Sequence, residues 1–390
     1  MRATDIQTSF ERHPARDDFL TAAKIEDTIG LCLSGGAYRA MIYHVGALAR
    51  LNELGIISRL DQVASVSGGS ITAGMLALAW SRLQFAADGV ARNLNEVVAE
   101  PLLAFAGQPL DVRAILLGLL PGRSAADGVA HAYDANLFGD ATLQDLPDRP
   151  RFTFMATNLQ TGSGWRFAKD YAADHRVGQI AKPTLKLSRV VAASSAFPPF
   201  LSPVRIELGE NQVQSMPGAD LHRAPFTQTA VLTDGGVYDN LGLERVWRRC
   251  RTVLVSNAGR NTPEIGSPTG RWGGQVFRTL SLVSQQAENS RKRILFGVNN
   301  LGQRKVAYWS IDTPITDYGI AGTPAISSEE TVTAATMRTR LNAFAPQEID
   351  LLLKAGYAGA TASLLARDLG VVRTPASFDT LPLRCSPRRI

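Results

Sequence analysis

The sequence predicts an α/β fold, with a central, mainly parallel sheet that carries helices on both faces and a helical C-terminal extension. Two observations predict it. The order strand, glycine-rich turn, helix occurs twice between residues 28 and 83, and short apolar runs typical of buried strands follow at residues 230–233 and 252–256. This repeated order favours parallel strands covered by helices, and such sheets bind ligands at the carboxyl ends of their strands.

The first two strand and helix units are the best defined. Residues 28–33 form a short apolar run that ends in a glycine-rich turn, and over residues 38–54 apolar side chains recur every three or four positions, as in a helix. Residues 62–66 form a second apolar strand that leads into Ser67, and residues 71–83 can continue as a helix.

No Pro/Gly/Ser-rich linker divides the chain, so we predict one main domain with a short segment before it and an extension after it. The boundaries are a polar lead-in at residues 1–27, the main α/β domain at 28–260, and a C-terminal extension at 261–390 packed on the same core. The further predicted elements are a helix-rich segment at residues 84–135, a strand at 152–157 with a hairpin partner at 165–167, a helix at 276–296, a strand at 306–311, two or three helices within 329–369, and an extended tail over the last twenty residues.

Composition indicates a globular protein and argues against a nucleic-acid partner. Of 390 residues, 45% are apolar and 19% are charged, which is enough apolar surface for a packed core. The net charge of +6 is modest, and no block of Lys and Arg accompanies it. The three widely separated cysteines and the charged N-terminus, which lacks an apolar secretory segment, predict a cytoplasmic location. The longest uncharged run, residues 62–81, is rich in Ser, Thr and Gly and predicts buried core instead of a membrane span.

One apolar run, at residues 114–120, allows two interpretations. Short apolar runs usually face the interior, so a core helix is favoured. The alternative is a lid that dips into a membrane.

Ser67 lies in the sequence SVSGG at residues 65–69, between a β-branched strand and a predicted helix. This is the setting of a nucleophile elbow, in which a sharp turn exposes the serine hydroxyl beside a helix N-terminus. Taken alone, such a motif is more often an ordinary turn than a catalytic one.

Two more glycine-flanked turns follow apolar strands. The sequence SGGAYR at residues 34–39 opens a helix, and its free backbone N–H groups could bind an oxyanion. It matches neither the dinucleotide fingerprint nor the P-loop. Asp234 ends a buried strand and precedes Gly235 and Gly236, where a carboxylate is costly unless it has a task or a partner. Each motif is weak alone, but together they supply an anion cradle, a hydroxyl and a carboxylate.

The order and spacing of these motifs resemble those of patatin-like phospholipases of the bacterial type, over most of residues 28–245. The resemblance also includes HVGAL to ELGI at residues 44–56, ATNLQTG at 156–162, ASSAFPPF at 193–200, and Asn240 after the DGG turn.

The resemblance implies a lipid acyl hydrolase of the phospholipase A or lysophospholipase kind, so that residues 28–260 form a patatin-like catalytic domain. It implies a phospholipid or other acyl-ester lipid as substrate, allows peripheral membrane contact, and requires neither a metal nor another cofactor. Nothing in the sequence indicates an oligomeric state. The implied residues are Ser67 and Asp234 as a catalytic dyad, Gly35, Gly36 and Ala37 as the oxyanion hole, and Arg39, Gly69, Gly235 and Gly236 as supporting residues.

The chain departs from the family pattern at four positions. Ala37 and Ala40 stand where glycine is common, Ser65 replaces the first glycine of the elbow, and Gly242 stands where proline is frequent. These small-for-small exchanges affect rate and loop geometry more than reaction type, unless position 37 or 65 needs a positive φ.

The histidines argue for a dyad over a Ser-His-Asp triad. In an α/β-hydrolase the triad order is Ser, acid, His, but no histidine follows Asp234 in this chain. Asp234 must then accept the proton of Ser67 directly. A carboxylate near its ordinary pKa of about 3.9 is a weak base at neutral pH, so backbone donors would carry much of the stabilisation. The five histidines are His13, His44, His131, His175 and His222.

Two alternatives stay open. A catalytically weak protein of this fold could bind a lipid or a regulator, with the Ala37 and Ser65 exchanges having relaxed the site. A carboxylesterase or thioesterase could use the same groups on soluble acyl substrates.

Overall fold

A computed structural model describes residues 25–110, 124–209, 212–320, 326–367 and 369–370 of the chain. The predicted core helix or lid at residues 114–120 and the predicted C-terminal tail lie outside the described residues.

Ten strands within the described residues form one sheet. The first strand begins two residues before its predicted start at Thr28, and the predicted hairpin partner of the third strand is present. The strands are β1 (Glu26–Leu33), β2 (Gln62–Val66), β3 (Arg151–Asn158), β4 (Gly164–Phe167), β5 (Tyr171–Asp174), β6 (Gly178–Ala181), β7 (Val204–Glu207), β8 (Thr229–Asp234), β9 (Cys250–Asn257) and β10 (Lys305–Ser310).

The sheet is parallel in one half and antiparallel in the other. Its parallel half has the order β10-β9-β1-β2-β3, and each neighbouring pair there is parallel. Beyond β3 the order continues through β4, β5 and β6, and all of these pairs are antiparallel. β8 pairs antiparallel with the end of β3, and β7 pairs antiparallel with β8. Within the sheet, β8 therefore runs in the opposite direction to β2.

Ten α-helices lie within the described residues, and those at residues 187–194, 236–239 and 243–247 were not predicted from the sequence. They are α1 (Ala37–Glu53), α2 (Gly68–Ala79), α3 (Glu100–Ala106), α4 (Ala125–Tyr133), α5 (Leu187–Ser194), α6 (Gly236–Asp239), α7 (Leu243–Trp247), α8 (Trp272–Asn300), α9 (Ser328–Thr336) and α10 (Pro346–Leu365). Shorter 3₁₀ turns lie at Ile57–Arg59, Trp80–Arg82, Leu143–Asp145 and Ile315–Tyr318, and π turns at Asn95–Ala99 and Asp134–Phe138.

Helices cover both faces of the parallel half. Side chains alternate between the two faces of a strand, so neighbouring residues of β1 enter different cores. Leu31 and Leu33 join the larger core, together with α1, α2 and α10, whereas Cys32 joins a smaller core with Val246 of α7 and Leu295 of α8. The predicted fold class, an α/β sheet with helices on both faces and a helical C-terminal region, is confirmed.

The C-terminal residues contact the main sheet directly. β10 forms its outer parallel edge beside β9, and α10 packs lengthwise against α1. Glycines allow this close approach, because a Cβ at Gly46 would overlap the carbonyl oxygen of Leu353 and one at Gly356 would overlap that of Tyr43. No helix among the described residues combines the length and the apolar character needed to cross a bilayer.

Candidate active site

Ser67 occupies a sharp turn between β2 and α2. Its backbone has φ of 51° and ψ of −121°, a conformation that costs a non-glycine residue energy and concentrates at functional sites. Small neighbours make the turn possible, because a Cβ at Gly68 would overlap the carbonyl oxygen of Ala37 and one at Gly69 would overlap that of Leu33. The predicted elbow geometry is therefore present at this position, and Gly69 supports it by close approach.

Asp234 is the last residue of β8, and the Ser67 hydroxyl lies close enough to its carboxylate to lower the pKa of Asp234. The Gly236 N–H donates to Asp234 Oδ1 at 2.7 Å. Both residues are nearly buried, with 7% of Ser67 and 4% of Asp234 exposed. The structure thus brings together the hydroxyl and the carboxylate that the sequence singled out. No histidine among the described residues is a hydrogen-bond partner of either side chain.

Burial changes the basicity of this carboxylate. Desolvation raises the pKa of Asp234 to about 6, and the hydrogen bonds from Gly236 and Ser67 oppose the rise without cancelling it. The expectation of a weak base with an ordinary pKa is corrected: a carboxylate with a pKa near 6 is mostly ionised at neutral pH and accepts a proton far more readily.

Two of the three predicted oxyanion donors are free. The Gly35 N–H donates to the backbone carbonyl of Asn240 at 3.1 Å, so it is not available to an oxyanion and this part of the prediction is wrong for the structure as it stands. Within the described residues, the N–H groups of Gly36 and Ala37 have no acceptor. Gly35 contributes space instead, because a Cβ there would lie 3.2 Å from Ser67 Cβ.

A family model described as patatin-like phospholipase matches residues 31–247. The chain belongs to this family. Membership supports lipid hydrolysis as its activity. A comparison with curated protein sequences found no match.

Three solved structures are similar to this chain at low identity. Human GIVD cytosolic phospholipase A2 is 12% identical with a TM-score of 0.52, and the match covers 96% of this chain but 64% of the human one. The same human protein in complex with methyl gamma-linolenyl fluorophosphonate is 14% identical with a TM-score of 0.50, covering 93% and 62% of the two chains. VipD from Legionella pneumophila is 16% identical with a TM-score of 0.38, covering 87% and 67%.

The two unusual small residues of this patatin-like chain behave differently. Ala37 has a positive φ of 52°, where glycine is the cheaper residue. Ser65 keeps an ordinary backbone conformation, and its hydroxyl is used, because Ser70 Oγ lies 3.0 Å from Ser65 Oγ. The loss of glycine therefore strains position 37 and not position 65.

Buried serines form hydrogen bonds that hold the turn at Ser67 in this patatin-like chain. The Ser67 N–H donates to Ser194 Oγ at 3.0 Å, and Ser194 Oγ donates to the Met155 carbonyl at 2.6 Å. Ser70 Oγ lies 2.8 Å from Ser194 Oγ, which connects α2 to the end of α5. Ser194 lies in the ASSAFPPF motif, but the sequence alone gave it no role, because its partners come from three other elements.

The supporting residues near Asp234 act through the backbone. The Gly235 N–H donates to the Ser194 carbonyl at 3.1 Å, and a Cβ at Gly235 would overlap the Met155 carbonyl. A Cβ at Gly236 would meet Asp234 Oδ1 at 3.0 Å. Both glycines allow the carboxylate to sit in a tight turn.

Arg39 is buried and links the start of α1 to residues of the C-terminal part. Its guanidinium donates to the carbonyls of Ala258 at 2.9 Å, Ala335 at 3.1 Å and Met337 at 2.9 Å. Desolvation lowers its pKa to about 10, so it stays a cation at neutral pH.

His44, which lies in the HVGAL to ELGI segment at residues 44–56, is a positioning residue. Its Nε2 lies 2.9 Å from the Ser34 carbonyl and its Nδ1 lies 2.8 Å from Ser256 Oγ. A carbonyl can only accept, so Nε2 carries the proton and Nδ1 accepts from the Ser256 hydroxyl. Complete burial lowers the pKa of His44 to about 4, so the ring is neutral and holds the Ser34 carbonyl in place.

Glu288 of α8 reaches the same loop from the opposite side. Asn240 Nδ2 donates to Glu288 Oε2 at 3.0 Å, and Asn257 Nδ2 donates to Glu288 Oε1 at 2.9 Å. The Asn240 carbonyl in turn accepts from the Gly35 N–H. Glu288 is therefore linked to the loop of Gly35 through two hydrogen bonds of Asn240. Within the described part of the chain, no three His, Cys, Asp or Glu side chains are grouped as a metal site.

Proposed function

We propose that this chain hydrolyses carboxylic esters of phospholipids or other acyl-ester lipids, with Ser67 as nucleophile and Asp234 as general base. The proposal depends above all on one observation, the placement of a serine hydroxyl on a strained turn beside a buried carboxylate whose pKa is about 6. Membership of the patatin-like phospholipase family supports the lipid substrate.

In the first half-reaction, Ser67 Oγ attacks the ester carbonyl carbon and its proton moves to the Asp234 carboxylate. The carbonyl oxygen becomes an oxyanion, which the free N–H groups of Gly36 and Ala37 stabilise. Collapse of this intermediate breaks the bond to the alcohol oxygen. Asp234 returns the proton to that oxygen, so the alcohol leaves neutral and the acyl group stays on Ser67.

In the second half-reaction, water attacks the acyl carbonyl while Asp234 accepts a proton from it. The fatty acid leaves, Ser67 regains its proton from Asp234, and water is the only co-reactant. No cofactor takes part in the proposed sequence. We propose a cytoplasmic location with peripheral contact to a membrane, because the substrate is held there.

The test is hydrolysis of a phospholipid and of a short-chain ester by Ser67→Ala and Asp234→Asn. We expect each variant to lose at least about a thousandfold in kcat while its circular dichroism is unchanged, because residues that act as a unit cost most of the rate when either is removed. The exposed residues Ser81 and Asp140 supply matched controls, and Ser81→Ala and Asp140→Asn should keep the parent rate. Turnover near the parent rate in either site variant would contradict the dyad.

A fluorophosphonate probe separates hydrolysis from binding without turnover. The human phospholipase of similar fold has been crystallised with such a compound. We expect one equivalent of label, located at Ser67 by peptide mass spectrometry and absent in Ser67→Ala. A chain that is inert to both probe and esters would favour a protein that binds lipid or a regulator. Faster hydrolysis of soluble esters or thioesters than of phospholipid would favour a carboxylesterase or thioesterase.

A further inference from the structure

The long helix α8 exposes apolar side chains on its outward face. Trp272 is 81% exposed, Val276 50%, Phe277 43% and Val283 62%. Trp272, Val276 and Val283 are spaced by four and seven residues, so they lie along one stripe of the helix, with Phe277 beside it. Such a stripe normally faces a protein core.

Between residues 278 and 288, the side of α8 that faces the protein makes polar contacts, whereas Leu295 nearer the C-terminus joins the smaller core. Arg278 donates to the Pro263 carbonyl at 2.8 Å, and Gln285 Oε1 accepts from the Thr262 N–H at 2.7 Å. Further along the same side, Glu288 binds the site residue Asn240. The first part of α8 therefore makes hydrogen bonds toward the protein and exposes large apolar side chains, among polar ones, toward the outside. An apolar face turned outward indicates an apolar partner.

The apolar surface continues onto the loop that follows α5. Phe197 and Phe200 are 53% and 60% exposed, and the Phe200 ring stacks on Phe277 with centroids 6.3 Å apart. This loop leads directly to the site, because the carbonyl of Ala196 accepts from the Asp234 N–H at 3.0 Å. We call these six side chains the outer patch: Phe197, Phe200, Trp272, Val276, Phe277 and Val283.

Charge favours an anionic surface as the occupant of the outer patch. Residues 265–287 contain no acidic residue, and their only charged side chains are Arg271 and Arg278. Arg271 is exposed at the start of α8 beside Trp272, and a cation beside an apolar helical face is typical of helices that lie in the headgroup region of anionic bilayers.

We propose that the outer patch docks this chain on the surface of an anionic phospholipid bilayer. Docking would place the loop of Phe197 and Phe200 in the membrane interface beside Ser67 and Asp234. The docking proposal rests on the proposed lipid hydrolysis, which gives the reason for membrane contact. Its test does not require hydrolysis. α8 lies beyond residues 31–247, which the family model matches, so the four patch side chains on α8 belong to this chain's C-terminal part, whereas Phe197 and Phe200 lie within the matched region.

Co-sedimentation with vesicles tests the docking. The full-length Ser67→Ala chain serves as parent so that the lipid is not consumed, and the vesicles contain phosphatidylcholine with or without phosphatidylglycerol. We expect Val276→Ser with Phe277→Ser to lower the partition coefficient on anionic vesicles by about tenfold or more, because two apolar side chains leave the interface. Val332 is 59% exposed on α9, away from the patch, and Val332→Ser should partition like the parent. Added salt should weaken binding of all three chains.

Three outcomes would overturn the docking. These are a parent that does not sediment with either vesicle, patch and control variants that bind equally, and a dimer in sedimentation velocity that the patch variant alone converts to monomer. The last result would assign the patch to a second copy. Circular dichroism checks the fold of the patch variant, and vesicle binding needs no turnover. The patch variant therefore tests docking even if Ser67 is not the nucleophile. Conversely, the Ser67 variants on soluble esters test the proposed function without any membrane.

Discussion

At the scale of single residues, the environment of Asp234 sets the pH dependence of the proposed reaction. The ionised carboxylate is the form that accepts the Ser67 proton, and its pKa is about 6. We expect kcat/KM on a soluble ester to be constant above about pH 7 and to fall about tenfold for each pH unit below 6. The measurement is a pH–rate profile between pH 4.5 and 8.5.

The control for that profile is the integrity of the fold at each pH. His44 is held neutral with a pKa of about 4, below its unfolded value of about 6.5, so its contribution to stability is full above 6.5 and is lost as the pH falls through 4. Circular dichroism therefore has to show a folded chain at every pH used. A rate that is flat from pH 5 to 8 in a folded chain would contradict Asp234 as the base.

The site residues that could be predicted from the sequence are those that end a strand at a glycine turn. Ser67 and Asp234 carry that local signature, although β8, which ends at Asp234, pairs antiparallel with β3 and not parallel as the sequence led us to expect. His44 and Glu288 could not be given roles, because their partners lie far away in the chain: His44 bonds to Ser256 and Glu288 to Asn240. The Gly35 N–H was assigned wrongly for the same reason, since its acceptor is the distant Asn240 carbonyl.

At the scale of elements, hydrophobic periodicity predicted most helices and strands but not all of their directions. β1 and β2 are each followed by a helix, so a parallel pairing was the expected result. β8 follows a long irregular connection, and nothing local reveals that it pairs antiparallel with β3. That reversed direction is what turns Asp234 toward Ser67.

The contact between α1 and α10 yields a prediction at this scale. Gly46→Ala and Gly356→Ala each place a methyl group against a backbone carbonyl of the other helix, so we expect each to lower the free energy of unfolding by about 1–3 kcal/mol or more. Gly297 lies within α8, and a Cβ there meets nothing within 4 Å. As the matched control, Gly297→Ala should raise the free energy of unfolding by about 0.5–1 kcal/mol. Urea denaturation gives all three values, and equal effects at the three positions would contradict the close crossing.

At the scale of the whole molecule, the family match ends at residue 247 while the packed structure continues. β10 completes the edge of the sheet, and Arg39 donates to carbonyls at residues 335 and 337. Tyr357 of α10 donates to Glu53 at 2.6 Å and accepts from Arg50 at 3.1 Å, which joins α10 to the end of α1. Composition alone could not predict these contacts, because the C-terminal sequence carries no motif that indicates which residues it packs against.

These contacts lead us to expect that residues 261–390 belong to the same folding unit as the site. Thirteen of the twenty residues of α10 are buried. Its four buried Leu and Ile side chains alone represent about 6–12 kcal/mol of burial, comparable with the whole stability of a domain. We therefore expect a chain that ends at residue 345 to lose cooperative unfolding and to be degraded rapidly by trypsin, since the outer face of α1 would be exposed. A chain that ends at residue 370 keeps α10 and should unfold like the parent. If the chain ending at 345 unfolded cooperatively with the parent midpoint, the C-terminal residues would be a separate unit after all.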